Sequence, residues 1–133
     1  MSFKKNKYQV LRNAISKDLA AFCYKYLQIS AEADNWMLNN GVTHSGNKLV
    51  GNFNDPQVPN SYAKYADRVM ETLLVDTIKV MQKKTGLKLV PTYSYTRLYR
   101  TGNILNRHKD RPSCEISTTL NLGGDPWPIY IDP

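Results

Sequence analysis

His108 and Asp110, a histidine and an aspartate two residues apart, are the pair in this sequence whose types and spacing best suit metal chemistry. Alternate side chains of a strand point to the same side, so on a strand this imidazole and this carboxylate would lie next to each other. Such a pair suits a borderline divalent metal, and two histidines with one carboxylate bind Fe(II) in facial triads. His-x-Asp alone is also explained by an ordinary hydrogen-bonded pair in a non-catalytic β-domain.

Strands are the elements that must position this pair. From residue 87 onward the sequence changes from helical to alternating periodicity, which predicts short strands at 87–90, 93–100, 104–110, 114–122 and 127–132. Residues 93–110 are predicted to form a pair of strands joined by a Thr-Gly-Asn turn, with His108 and Asp110 at the end of the second strand.

Two helices are predicted before the strands. Ser16 is a good N-cap for a first helix that continues to Met37 and stops by Gly41. Ser61 is the predicted cap of a second helix over residues 62–85, which Gly86 ends. Residues 40–61 between them are rich in Asn, Gly and Pro, so we expect an ordered loop with a short strand at 48–53 that could act as a substrate rim.

Helices followed by a run of strands indicate an α+β fold in a single domain over residues 1–133, with helical support at 1–86 and a β-half at 87–133. In a sandwich or jelly roll, one strand face would pack on the helices and the other would line a cavity. The apolar side of residues 114–122 is predicted to pack on the helices. The residues expected to converge on the cavity are Arg97, Tyr99, His108, Asp110, Ser117 and Thr119.

The composition limits the partners. The chain has 133 residues and a formal charge of +7, which favours anionic partners such as nucleic acid or a small dianion, although the lysines are scattered. A nucleic-acid interface would use the basic residues around the motif, Arg97, Arg100, Arg107, Lys109 and Arg111. No run of about 18 apolar residues and no secretory signal is present, so we expect a cytoplasmic protein without membrane contact and with reduced cysteines.

One spacing pattern in the last third of the chain resembles a known family. The pattern is Tyr99-x-x-Gly102-x-x-Leu105-x-x-His108-x-Asp110, followed by Thr119-Leu120-Asn121-Leu122 and Gly123-Gly124. It resembles the Fe(II)/2-oxoglutarate-dependent dioxygenases, and within them the prolyl 4-hydroxylase-like branch in its short bacterial and phage form. The resemblance implies a double-stranded β-helix, or jelly roll, supported by the two helices.

The resemblance also implies residue roles. His108 and Asp110 would be the first two ligands of Fe(II), Tyr99 would contact 2-oxoglutarate, and Thr119 would help to hold its distal carboxylate. Arg97 could serve the cosubstrate or substrate, or it could be an ion-paired structural arginine. The implied reaction uses O2 and 2-oxoglutarate to hydroxylate a peptide or small-molecule substrate, and releases succinate and CO2. Ascorbate is a further cofactor that the resemblance allows.

The resemblance is incomplete at its C-terminal side. The family continues through further strands to a distal histidine, the third iron ligand, and then to a basic residue that pairs with 2-oxoglutarate. In this sequence no His follows His108 and no Arg or Lys follows Arg111. We therefore expect only the first strands of the jelly roll here. This would fit part of a longer oxygenase, a chain completed by a second polypeptide or its own dimer mate, or a non-catalytic relative.

Overall fold

The computed structural model describes residues 2–132, and the elements follow one another in the order α1, α2, β1, α3, β2. Their bounds are α1 Phe3–Asn6, α2 Lys17–Asn39, β1 Tyr62–Tyr65, α3 Arg68–Thr85 and β2 Tyr95–Leu98. The architecture is thus mixed helix and strand, which confirms the predicted α+β class. No helix in residues 2–132 is long and apolar enough to span a lipid bilayer.

The first long helix, α2, begins as its sequence predicts. The Ser16 hydroxyl accepts a hydrogen bond from the Leu19 amide at 3.1 Å, and Asp18 lies in the first turn, where the helix dipole favours an acid. The helix ends at Asn39, just before Gly41 with its positive φ of 68°. Both predicted ends of this helix are therefore confirmed to within about two residues.

The second long helix is shorter than predicted, because residues 62–65 form strand β1 instead of its first turn. Ala66 follows with a positive φ of 49°, which interrupts any helix. The cap is Asp67 rather than Ser61, since the Asp67 carboxylate accepts from the amides of Val69 and Met70 at 2.9 and 3.4 Å. The predicted end at Gly86 is confirmed, with a φ of 70° and a hydrogen bond back to Gln82.

The sheet consists of β1 and β2, which pair antiparallel with Tyr62 opposite Leu98 and Tyr65 opposite Tyr95. A single bridge between Asn52 and Ala63 extends it on the other side of β1. The strands predicted at 48–53, 87–90, 104–110, 114–122 and 127–132 are wrong for this structure, and within the predicted strand 93–100 the observed strand is 95–98. Alternation of apolar and polar residues alone does not make a strand, because the backbone N–H and C=O groups of a strand also need hydrogen-bond partners on a neighbouring strand.

The core lies between one face of α2, one face of α3 and the inner side of β1. Its buried members are Cys23, Leu27, Ala31, Tyr62, Met70 and Leu73. Leu120 and Leu122 pack against this cluster and are partly buried. Part of the predicted apolar side of residues 114–122 therefore does pack on the helices, although the segment is not a strand.

A buried carboxylate ties the core to the loop that precedes β1. The Asp34 carboxylate, on the inner face of α2, accepts from the Gly51 amide and from the Tyr62 hydroxyl, both at 2.7 Å. Lys64 lies 3.9 Å from the same carboxylate and 3.3 Å from that of Asp67. Burial and the Asp34 carboxylate raise the pKa of Tyr62, so its hydroxyl stays protonated as a donor.

Gly51 packs directly against Tyr62, and a Cβ at this position would overlap the tyrosine ring. We expect Gly51→Ala to lower the free energy of unfolding by about 1–3 kcal/mol, because the overlap forces a core ring from its site. Urea denaturation measures this change. Gly41→Asn is the control, since Gly41 has open space around it and asparagine tolerates its positive φ. Equal stability of Gly51→Ala and the wild type would show that the predicted overlap has no energetic effect.

Candidate metal centre

His108 and Asp110 lie close together, as the sequence predicts, although the backbone that carries them is a loop. The imidazole Nε2 is 3.5 Å from Asp110 Oδ1. Their side chains are 39% and 50% exposed, so a metal ion could reach them from solvent. Metal–ligand distances of about 2.0–2.2 Å place adjacent ligands about 3 Å apart at right angles. The observed separation is close to that value.

The other polar atoms of the two side chains already have partners. His108 Nδ1 lies 2.9 Å from the Asn106 carbonyl oxygen, and Ser117 Oγ donates to Asp110 Oδ2. A proton on Nδ1, donated to that carbonyl, leaves the lone pair on Nε2. Metal-ligating histidines usually have such a partner on the second ring nitrogen, and ligating carboxylates are hydrogen-bonded in turn. The pair therefore presents one nitrogen and one oxygen, both oriented by their neighbours.

The pair supplies two ligands and no more. Within residues 2–132 no group of three His, Cys, Asp or Glu side chains could hold a metal ion. The other histidine, His44, is exposed in the loop between α2 and β1, where its Nδ1 accepts from the Gly46 amide at 3.2 Å. The donor set fits two of the three positions of a facial triad.

The predicted cosubstrate residues are not joined to this pair. Tyr99 packs on Trp127 with ring centroids 4.6 Å apart, and the Arg97 guanidinium lies 5.8 Å from the centre of the Tyr99 ring. Thr119 is exposed. Across residues 2–132, no hydrogen bond or ion pair links these three residues to His108 or Asp110.

Arg97 is engaged elsewhere. Its side chain is only 6% exposed and forms an ion pair with Asp55, while the same nitrogen lies 3.2 Å from Gln57 Oε1. The Tyr95 hydroxyl also donates to Asp55. Because Asp55 neutralises its charge, Arg97 does not fit a role as a free cation for a dicarboxylate, and the ion-paired alternative describes its contacts.

The basic residues around the motif are likewise partly neutralised. Arg107 pairs with Asp132, and Arg97 pairs with Asp55. Of the five basic residues that a nucleic-acid interface would use, the exposed ones without an ion pair in the described residues are Arg100, Lys109 and Arg111. This leaves a smaller positive surface than the sequence predicts.

Two shallow clefts lie near β2. One of about 320 Å³ is bounded by Glu32 of α2, Phe53, Leu98 and Arg100. The other, of about 610 Å³, lies between residues 56–60 and the turn after β2, where Asn103 donates to the Pro59 carbonyl at 3.0 Å. Neither cleft is lined by His108 or Asp110.

Sequence reasoning missed the buried carboxylates Asp34, Asp55 and Asp67. A signal for the first was present, because Asp34 continues the buried spacing of Cys23, Leu27 and Ala31 along α2. A charge on the apolar face of a helix predicts a buried partner. Asp55 had no such signal, since it lies in an irregular loop and meets β2 only through the tertiary fold.

Two of these carboxyls have a lowered pKa. Burial alone would raise the pKa of Asp55, but the Tyr95 hydroxyl, the Gln57 amide and the Arg97 guanidinium outweigh it. Burial opposes the shift at Asp67 too, where the Tyr26 hydroxyl and Lys64 lower the pKa below its usual value. Both groups therefore stabilise the fold as carboxylates.

Acid is expected to destabilise the protein for this reason. A carboxyl whose pKa is lower in the folded than in the unfolded state stabilises fully above its unfolded value of about 3.9, and this stabilisation is lost as the pH falls through the folded value. The urea midpoint should therefore fall between pH 7 and pH 3. Asp55→Asn should be less stable at pH 7 and less pH-dependent, because one of the two groups is removed. An unchanged wild-type midpoint at pH 3 would contradict this account.

Comparison with known proteins finds no family model, no curated protein and no solved structure that matches the chain.

Proposed function

We propose that this chain supplies His108 and Asp110 as two of the three iron ligands of an Fe(II)- and 2-oxoglutarate-dependent dioxygenase of the prolyl 4-hydroxylase-like type. The observation that carries the proposal is the 3.5 Å approach of His108 Nε2 to Asp110 Oδ1, with the other polar atom of each side chain held by a neighbour. The spacing from Tyr99 to Gly124 supports the same family.

The hydrogen bonds that neighbouring residues make with this pair favour metal binding over a simple ion pair. The Asn106 carbonyl holds the imidazole proton at Nδ1, which leaves Nε2 as a lone-pair donor. Ser117 holds Oδ2, so Oδ1 is the carboxylate atom left facing the imidazole. An imidazole nitrogen and a carboxylate oxygen are ligand types that suit Fe(II). When bound, the metal would activate O2.

The cosubstrate part of the proposal rests on Tyr99 and Thr119. Thr119 is exposed and its hydroxyl is available to a carboxylate, while the Tyr99 ring packs against Trp127. Arg97 takes no part in the proposal as a cosubstrate ligand, since Asp55 holds its guanidinium. A cation for the distal carboxylate must come from another residue, and the third iron ligand must come from outside the donor groups described.

The jelly roll is part of this proposal. The α2 and α3 helices and the β1–β2 sheet would be the support, and the alternating segments at 104–110, 114–122 and 127–132 would pair only when further strands complete the sheets. On a strand, His108 and Asp110 would keep the same-side relation that they have in the loop.

Succinate formation tests the proposal. The full product of the reading frame that encodes this chain should convert 2-oxoglutarate to succinate only with Fe(II) and O2, with ascorbate tested as an addition. His108→Ala and Asp110→Ala should each lower the rate roughly 100-fold or more, because a ligand is lost. Asp76→Ala is the matched control for Asp110→Ala and should retain the wild-type rate, since Asp76 is exposed on helix α3 outside the candidate site. Activity that survives both ligand substitutions would refute the assignment.

A further inference from the structure

The outer face of α2 carries a stripe of three large apolar side chains that nothing in the described chain covers. Phe22, Ile29 and Trp36 are 66%, 56% and 60% exposed and follow one another at intervals of seven residues. Seven residues are nearly two helical turns, so the three side chains form one line along the helix, here called the α2 stripe. Scattered exposed apolar residues are normal, but an aligned set indicates an interaction surface.

The stripe lies on the side of α2 that faces away from the core. The buried side of the same helix is formed by Cys23, Leu27, Ala31 and Asp34. With a rise of about 1.5 Å per residue, the stripe is about 21 Å long. It is therefore long enough for a helix to lie along it.

Two charged residues flank the middle of the stripe. Lys25 and Glu32 lie about one turn before and one turn after Ile29, and both are exposed. Neither takes part in an ion pair among residues 2–132. With Lys25 on one side of Ile29 and Glu32 on the other, the charges of α2 are complementary to those of a second α2 that runs in the opposite direction.

We propose that the α2 stripe is a self-association surface, on which α2 of a second copy of this chain lies antiparallel about a two-fold axis near Ile29. In this arrangement Ile29 faces its own copy, Phe22 lies near the partner's Trp36, and Lys25 lies near the partner's Glu32. A two-fold contact of this kind uses the same patch on both chains. A parallel pair would instead place like charges opposite each other, so the charges select the antiparallel orientation.

Sedimentation equilibrium over a concentration series tests this proposal. A single helix pair is at the small end of specific interfaces, so we expect a dimer that forms at roughly micromolar concentration. Ile29→Asp places two carboxylates on the axis and should give a monomer throughout the series. Val75→Asp is the matched control, because Val75 is 57% exposed on α3, outside the stripe, and this variant should dimerise as the wild type does.

Charge exchange makes the test specific to the antiparallel pair. Lys25→Glu and Glu32→Lys should each weaken dimerisation roughly tenfold, and the double variant should restore it, because opposite charges face each other again. In a Trp127→Phe background, Trp36 is the remaining tryptophan, and its emission should shift to shorter wavelength as the dimer forms. A wild-type monomer at all concentrations, an Ile29→Asp dimer, or a double variant no better than the single ones would overturn the proposal. If the wild type is a monomer, the partner that covers the α2 stripe is a different protein.

Discussion

Replacement of Asp34 by alanine is expected to lower the free energy of unfolding by about 3–5 kcal/mol, the largest loss of stability among the single changes considered. This carboxylate accepts from the Gly51 amide and the Tyr62 hydroxyl and lies 3.9 Å from Lys64. Tyr62 is fully buried. Removing the acceptor therefore leaves two buried donors without a partner and deprives Lys64 of one of its two carboxylates.

Urea denaturation of three variants separates this network from a general effect of losing an aspartate. Asp76→Ala is the matched control, because Asp76 is an exposed aspartate within helix α3, and its removal should change stability by about 0.5 kcal/mol or less. Asp34→Asn keeps an oxygen acceptor and should fall between the two. If Asp34→Ala were no more destabilising than Asp76→Ala, the buried network would not hold the fold together.

The second large effect is expected on metal affinity. His108→Ala or Asp110→Ala should abolish measurable Fe(II) binding by the chain, since each removes one of only two ligands that the described residues supply. Both side chains are substantially exposed, so the variants should unfold at the same urea concentration as the wild type. Calorimetric titration with Fe(II) under anaerobic conditions measures the affinity.

Ser117→Ala distinguishes a metal centre from a simple ion pair. The Ser117 hydroxyl donates to Oδ2 of Asp110, the oxygen that does not face His108, and lies 3.4 Å from the Cys114 carbonyl oxygen. If it orients a ligand, its loss should weaken Fe(II) binding about 10–100-fold, as outer-shell substitutions do. Ser45→Ala, in the loop that carries His44, is the control and should bind Fe(II) as tightly as the wild type. Unchanged affinity in Ser117→Ala would contradict the orienting role.

Local rules in the sequence predict the helices well because each helix carries its own signals. Ser16 caps α2 and Gly86 ends α3 as expected. The exception is the start of α3, where Ser61 is the predicted cap and Tyr62 falls in the predicted first turn. Its burial against Phe53, with ring centroids 5.0 Å apart, and its pairing with Leu98 favour a strand there. These contacts come from distant segments, which helical periodicity does not report.

The β-half was harder to predict because strands depend on partners. Residues 114–122 alternate cleanly, yet their backbone pairs with no strand in the described chain. The closeness of His108 and Asp110 was predicted more accurately than the strands that should carry them. His108 and Asp110 are two positions apart in the sequence, and this short separation keeps their side chains close in a loop as well as in a strand. Arg97 could not be assigned from sequence, since its partner Asp55 lies 42 positions away.

An NMR titration of the histidine rings with Fe(II) under anaerobic conditions measures whether His108 and Asp110 bind the metal together. The chain has only two histidines, so His44 is an internal control for His108. We expect Fe(II) to broaden the His108 ring signals at concentrations that leave those of His44 sharp, and we expect Asp110→Ala to remove this selectivity. Equal broadening of both rings, or selective broadening that persists in Asp110→Ala, would show that His108 and Asp110 do not form a metal centre.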